Sequence, residues 1–119
     1  MNKYLCSTDE VHKDRVRLVT ENFQNNQTIN DMSTLFSALS DPTRLKILLA
    51  LEKTELCGCD LCAITGTTKS AVSHQMRILK LTKLVKSRRQ GKQIFFSLSD
   101  QHVVELLKAA LEHVEEEQR

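Results

Sequence analysis

The chain has 119 residues, 40% hydrophobic and 27% charged, with one proline and three glycines, which suits one helix-rich domain with a core of its own. Its longest apolar runs span only a few residues, which excludes a membrane-crossing helix, and Met1-Asn2-Lys3-Tyr4-Leu5-Cys6 leads straight into Ser, Asp, Glu and Lys without the apolar stretch of a secretory signal, so the expected location is the cytoplasm. Net charge is only +2, yet residues 61–99 hold eight of the 17 Lys and Arg and no Asp or Glu, while nine acids precede Leu61 and six follow from Asp100 onward. A basic middle between acidic flanks is the electrostatic footprint of a nucleic-acid-binding face, and its plainer alternative is a solvated basic surface.

In chain order, residues 1–28 read as an arm running into a helix, with Val11, Val16, Leu18, Val19 and Phe23 as a rough apolar stripe and Asn22 to Thr28 as a polar connector. A helix is expected from Asn30 or Asp31 to Leu39, with Met32, Leu35, Phe36 and Leu39 on one face. Ser40-Asp41-Pro42 supplies a stop and a restart, and the next helix carries Leu45, Ile47, Leu48, Leu49 and Leu51 before fading near Lys53-Thr54.

Two helices joined by a tight turn follow within residues 58–81. The first covers Cys59 to Thr65 and is closed by Gly66; the second, capped by Thr67 or Thr68, runs from Lys69 to Leu81. Val72, Met76 and Leu79 give the second helix a buried face, leaving Lys69, Ser70, Ser73, His74, Arg77 and Lys80 largely outward. Short helix, glycine-containing turn and polar, basic second helix make a helix-turn-helix. Residues 84–98 read as a β-hairpin around Gln90-Gly91-Lys92, a wing, and residues 100–118 as a final helix with Val103, Val104, Leu107, Ala110, Leu111 and Val114. The fold class expected is mainly α with a small β-hairpin, a winged helix-turn-helix within a single domain covering 1–119.

Several side chains in this frame suit a duplex. Ser70, Ser73, His74, Gln75 and Arg77, with Lys69 at the helix start, are types that meet base edges or phosphates in the major groove; Gln75 suits adenine and Arg77 guanine or phosphate. Arg88, Arg89 and Lys92 on the wing suit the backbone or the minor groove. Each taken singly is as easily a solvated surface residue.

The cysteines carry a second chemistry. Three of the four crowd into Cys57-Gly-Cys59-Asp-Leu-Cys62 and the fourth is Cys6. In a reducing compartment clustered thiols mean metal or redox chemistry more often than disulfides. Thiolates select zinc, cadmium, lead, monovalent copper or trivalent arsenic over magnesium or calcium. Three sulfurs can take arsenic in pyramidal fashion; with Cys6 as a further ligand the set becomes a larger tetrahedral site, sulfur lying about 2.3 Å from zinc. Buried structural cysteines are the plainer alternative, most of all for Cys62.

A second ligand set lies on the last helix. Asp100 and His102 open it, and His113 and Glu116 share a face near its end. The eleven residues between the two histidines span roughly 16 Å, too far for one ion on one helix. Two copies packed antiparallel across a two-fold axis bring the Asp100/His102 end of one to the His113/Glu116 end of the other, so this set requires a dimer. Singly, Asp100 is equally a helix cap and the terminal acids a solvated tail.

Phe36-Ser-Ala-Leu-Ser-Asp-Pro-Thr-Arg44-Leu, Glu55-Leu-Cys-Gly-Cys-Asp-Leu61, Ser70-Ala-Val-Ser-His-Gln75 and Gly91-Lys-Gln-Ile-Phe-Phe-Ser-Leu98 together resemble the ArsR/SmtB family of metal-sensing repressors, over nearly the whole chain beyond residue 30. Within it the chain is most similar to the cadmium/lead/zinc-responsive, CadC-like branch. That resemblance implies an N-terminal arm ligand, Cys6, joining Cys57 and Cys59, and a zinc-type helical site at Asp100, His102, His113 and Glu116. It implies regulatory Zn2+, Cd2+ or Pb2+, a homodimer formed through N- and C-terminal helices, double-stranded operator DNA as partner, and an apo-repressor of a metal efflux or resistance operon. Two departures stand out. The arm has one cysteine where the branch usually carries two, with Asp9 or His12 as substitutes; and Cys62 completes a pattern resembling arsenite- and antimonite-sensing members. Rival readings are a thiol-redox repressor and a constitutive DNA-binding protein with a structural zinc; an enzyme is not expected.

Overall fold

The computed structural model describes residues 3–118. Its elements run α1 (Lys13–Glu21), α2 (Asn26–Leu39), α3 (Pro42–Lys53), β1 (Leu56–Cys57), α4 (Gly58–Thr65), α5 (Lys69–Leu81), β2 (Val85–Gln90), β3 (Gln93–Leu98) and α6 (Gln101–Glu117). The described residues up to Asp31 make one compact unit and those from Met32 onward another. In the first, α1 buries none of its residues and its apolar stripe, including Val16, Leu18 and Val19, stays exposed. Among the described residues no helix is long and apolar enough to cross a membrane.

α2 begins four residues ahead of the expected start. The stretch read as a connector is rich in Asn, with Thr, weak helix formers in the interior but good caps. Asn25 does that work: its Oδ1 accepts from Thr28 N–H at 2.8 Å and its carbonyl from Ile29 N–H at 3.1 Å. α3 starts where Pro42 predicts, with the Asp41 carboxylate accepting from Arg44 N–H at 3.0 Å.

The core of the second unit gathers one face from each element. Ile47, Leu48, Leu61, Leu79 and Leu84 are sealed from solvent, and Ala38, Leu51, Val72, Met76, Val85, Leu98, Val103 and Leu107 close around them. The buried trio of α5 is the one its spacing predicts, so the helix can be laid on the core in only one rotation.

The sheet has three strands in the order β1-β3-β2, all antiparallel, where the sequence reading has two. The added strand pairs Leu56 with Phe96 and Cys57 with Phe95. Two residues are too few to show an alternating pattern, which is why β1 is invisible to periodicity. The expected hairpin is in register from Val85↔Leu98 to Gln90↔Gln93. Gly91, at φ +62°, takes the first position of its two-residue turn, where a type II′ reversal needs a positive φ.

The junction between α5 and the wing is set by a tight helix end. Leu84 N–H donates to Leu79 O at 2.9 Å and Lys83 N–H to Lys80 O at 3.1 Å, the paired bonds of a Schellman motif, with Leu79 and Leu84 packed as its apolar contact. Lys83 holds the left-handed position, φ +60°, that glycine ordinarily fills. Relief of that strain, about 1–2 kcal/mol, outweighs glycine's entropic cost of about 0.5–1 kcal/mol. Lys83→Gly is therefore expected to stabilise by about 0.5–1 kcal/mol in urea unfolding, and Lys83→Val to destabilise, its β-branch being the least tolerant of a positive φ.

Candidate nucleic-acid interface and cysteine cluster

α4, the Gly66 turn and α5 form the helix-turn-helix. Gly66 ends α4 in the left-handed conformation at φ +69°, its N–H bonded to Cys62 O at 2.8 Å, and Thr68 Oγ1 caps α5 by accepting from Ala71 N–H at 3.1 Å. With Val72, Met76 and Leu79 facing inward, Lys69, Ser70, Ser73, His74 and Arg77 are exposed as the spacing predicts. Lys80 is exposed too, and its Nζ donates to Ser87 Oγ at 3.0 Å, linking α5 to β2.

Gln75 differs. It is half-buried, and its Oε1 accepts from Arg44 Nη1 at 3.0 Å. Arg44 also donates through Nε to Ala38 O at 2.7 Å and through Nη2 to Ser37 O at 3.4 Å. One guanidinium thus joins the last turn of α2 and the first turn of α3 to the middle of α5. Bidentate pairing of Gln75 with adenine uses both ends of the amide, and here the carbonyl end is already held within the fold. Arg44 stands in the Asp-Pro-Thr-Arg run, but a contact 31 positions apart in sequence leaves no periodic trace.

The wing residues also divide. Arg89 and Lys92 are exposed, and among the described residues neither is paired with a carboxylate. Arg88 is held: Nε donates to Glu55 Oε2 at 2.8 Å, Nη2 to Glu55 Oε1 at 2.5 Å and Nη1 to Gln90 Oε1 at 2.8 Å, while the guanidinium lies over the Phe95 ring at 5.0 Å. The Arg88 guanidinium keeps the Glu55 carboxyl below the ordinary range, and Glu55 in turn raises Arg88.

Cys57 is the N-cap of α4, and Asp60 at the third helical position closes back on it: Asp60 Oδ2 accepts from Cys57 N–H at 3.0 Å, a bond that lowers the Asp60 carboxyl below its usual range. Cys57 is buried, Cys59 exposed and Cys62 half-buried against the core. All three line one cavity of about 310 Å³, walled on the far side by Ser73 and Met76 of α5 and by Ile94 and Phe96 of β3. Soft thiols on a shared wall fit a soft or borderline ion in chemical type. Among the described residues, however, no three His, Cys, Asp or Glu side chains are gathered closely enough to hold one. In the first unit Cys6, Asp9 and His12 are exposed, and His12 stands at the start of α1 without a side-chain cap bond.

On α6, Asp100 caps the helix by accepting from Val103 N–H at 3.2 Å, and its Oδ1 lies 3.7 Å from His102 Nδ1. His113 Nε2 lies 3.5 Å from Glu117 Oε1, one position beyond Glu116 of the sequence reading. All of these side chains are exposed, and no pair from one end of the helix meets the other within a single chain.

The Arg44–Gln75 bond gives a direct test of how α5 is held. Arg44→Met and Gln75→Leu are expected to be non-additive in stability, with a coupling of about 1 kcal/mol in a double-mutant cycle read by urea unfolding. Additivity within error would show that the contact does not hold the helix.

Comparison with known proteins agrees with this geometry. The family model for bacterial regulatory proteins of the arsR family matches residues 41–87, from the N-cap of α3 into β2. The chain is 43% identical over 112 residues to a transcriptional repressor SmtB homolog of Synechocystis sp., covering 94% of this chain and 85% of that protein. It is 37% identical over 118 residues to a cadmium resistance transcriptional regulatory protein CadC homolog of Staphylococcus aureus, covering 98% and 96% respectively. Among solved structures, the homodimeric winged helix-turn-helix DNA-binding domain of a possible ArsR-family regulator from Mycobacterium bovis superposes with a TM-score of 0.73 at 23% identity, over 79% of this chain and 90% of that one. The fold is a winged helix-turn-helix, and the chain belongs to the ArsR/SmtB family of bacterial transcriptional regulators, which are not enzymes.

Proposed function

We propose that this protein is a cytoplasmic, metal-responsive repressor that binds operator DNA as a metal-free homodimer and releases it on capturing Cd2+, Pb2+ or Zn2+, so controlling a metal efflux or resistance operon. The observation that carries the reading is the shared cavity: the three clustered thiols and one flank of the recognition helix, through Val72, Ser73 and Met76, bound the same space. An ion held there would act directly on the flank of the element that reads DNA. Relatives named for SmtB-type repression and for cadmium resistance support the metal class.

On the duplex, α5 supplies Lys69, Ser70, Ser73, His74 and Arg77 to the major groove, and the wing supplies Arg89 and Lys92 to the backbone. Cys57 and Cys59 are the metal ligands within the cluster, with Cys6 added by the sequence resemblance. Cys62 on the same wall favours a second reading, in which arsenite or antimonite is the inducer held by Cys57, Cys59 and Cys62. Dimerisation is supported by exposed apolar side chains, Met32 and Phe36 on α2 and Leu111 and Val114 on α6, which a second copy would cover. A second α6 would also set Asp100 and His102 against His113 and Glu116, an N/O site suited to zinc.

Antagonism between ion and duplex is a coupling free energy of about 1–3 kcal/mol, a change in affinity of about 5- to 150-fold, and it acts equally in both directions. The test is fluorescence anisotropy with DNA from upstream of the protein's own coding sequence, repeated with Zn2+, Cd2+, Pb2+ and arsenite. Metal-free protein is expected to bind, more weakly as salt rises, and to release the fragment with the cognate ion. Loss of the Cd2+ response in Cys6→Ser favours the arm site, and loss of the arsenite response in Cys62→Ser favours the three-thiol site. Affinity unchanged by every ion would overturn the proposal.

A further inference from the structure

One strand, β3, separates the cysteine-bearing β1 from β2 at the outer edge of the wing, and one side chain reaches across it. Arg88 on β2 is directly opposite Phe95 on β3, and Phe95 is directly opposite Cys57 on β1. From its edge strand Arg88 passes over the Phe95 ring and meets Glu55, two residues ahead of Cys57.

A guanidinium offers five N–H groups in one plane, and it recognises a phosphate by presenting two of them as a fork. Here Nε and Nη2 form that fork on the Glu55 carboxylate, and Nη1 is taken by Gln90. The carboxylate therefore takes up the pair of donors with which the side chain would otherwise bind a phosphate. Both side chains remain partly open to solvent, 52% and 32% exposed, so the pair contributes little to folding and can exchange partners. Its main effect is electrostatic: one wing cation is neutralised, whereas Arg89 and Lys92 carry no such partner among the described residues.

We infer that Glu55 acts as an intramolecular stand-in for a DNA phosphate, occupying Arg88 in the free protein and lowering the affinity of the wing for the duplex backbone. The inference rests on the DNA-binding reading above and adds to it a residue that limits affinity from within the cysteine-bearing segment. It also makes Arg88 a reserve contact: it engages DNA only when Glu55 lets go.

The experiment measures affinity of the metal-free protein for one operator fragment and one unrelated duplex between 50 and 200 mM salt. Each phosphate contact adds about 0.9 to the slope of log affinity against log salt. Glu55→Gln keeps the shape of the side chain and removes its charge. It is expected to tighten binding to both duplexes by roughly tenfold at 50 mM and roughly threefold at 200 mM, with a slope steeper by about 0.9. Glu55→Ala should do the same, which separates the effect from any bond made by the new amide, and both variants should keep the wild-type circular dichroism. Glu55→Gln combined with Arg88→Gln should lose the gain and the added slope. Equal or weaker binding by both single variants, or tighter binding at an unchanged slope, would overturn the inference alone. Wild-type protein that binds neither duplex would overturn the DNA-binding reading with it.

Discussion

The arrangement depends on one packing constraint: the narrow apolar stripe of α5 seated on Ile47, Leu48 and Leu61. Val72 and Met76 are 3% exposed and Leu79 is fully enclosed, so turning the helix by even one residue would carry an apolar group into water and a polar one into the core. Each such exchange costs on the order of a few kcal/mol. The outer face is thereby chosen by the inner one. Arg44 adds direction to this hydrophobic seat, because a guanidinium fork resists sliding where aliphatic contacts do not. Recognition by a rigid helix needs both, since side chains on a loosely seated cylinder cannot hold a register along a groove.

The cysteine segment is placed where small displacements matter. It starts α4, pairs with β3 and lines the cavity beside α5, so three parts of the DNA-binding apparatus meet at Cys57. Interiors packed at crystal-like density transmit displacement rather than absorb it. A regulatory ligand at this junction would not need a long relay.

Much of this was legible in the residues. The spacing of Val72, Met76 and Leu79 gives the buried face of α5, Pro42 gives the start of α3, and Gly91 gives the turn of the wing. The misses have physical causes. The head of α2 is hidden because polar residues that cap a helix look like linker, and β1 because two residues carry no period. Arg44 with Gln75 and Glu55 with Arg88 are contacts 31 and 33 positions apart, set by how elements pack and not by any local pattern. Lys83 is the opposite case: a residue poorly suited to its backbone angle, tolerated because the Leu79–Leu84 contact on either side fixes the chain there.

Cys57 stands at the N-cap of α4, where oxygen-bearing side chains are the better acceptors, and the bond that fastens the turn runs the other way, from its backbone N–H to the Asp60 carboxylate. The turn is thus stitched through a peptide group and not through the sulfur. Anything that draws the Cys57 backbone aside strains the Asp60 bond and the pairing with β3 together. Under the proposed function, an ion pulling on that sulfur would tug both seams without first having to displace either.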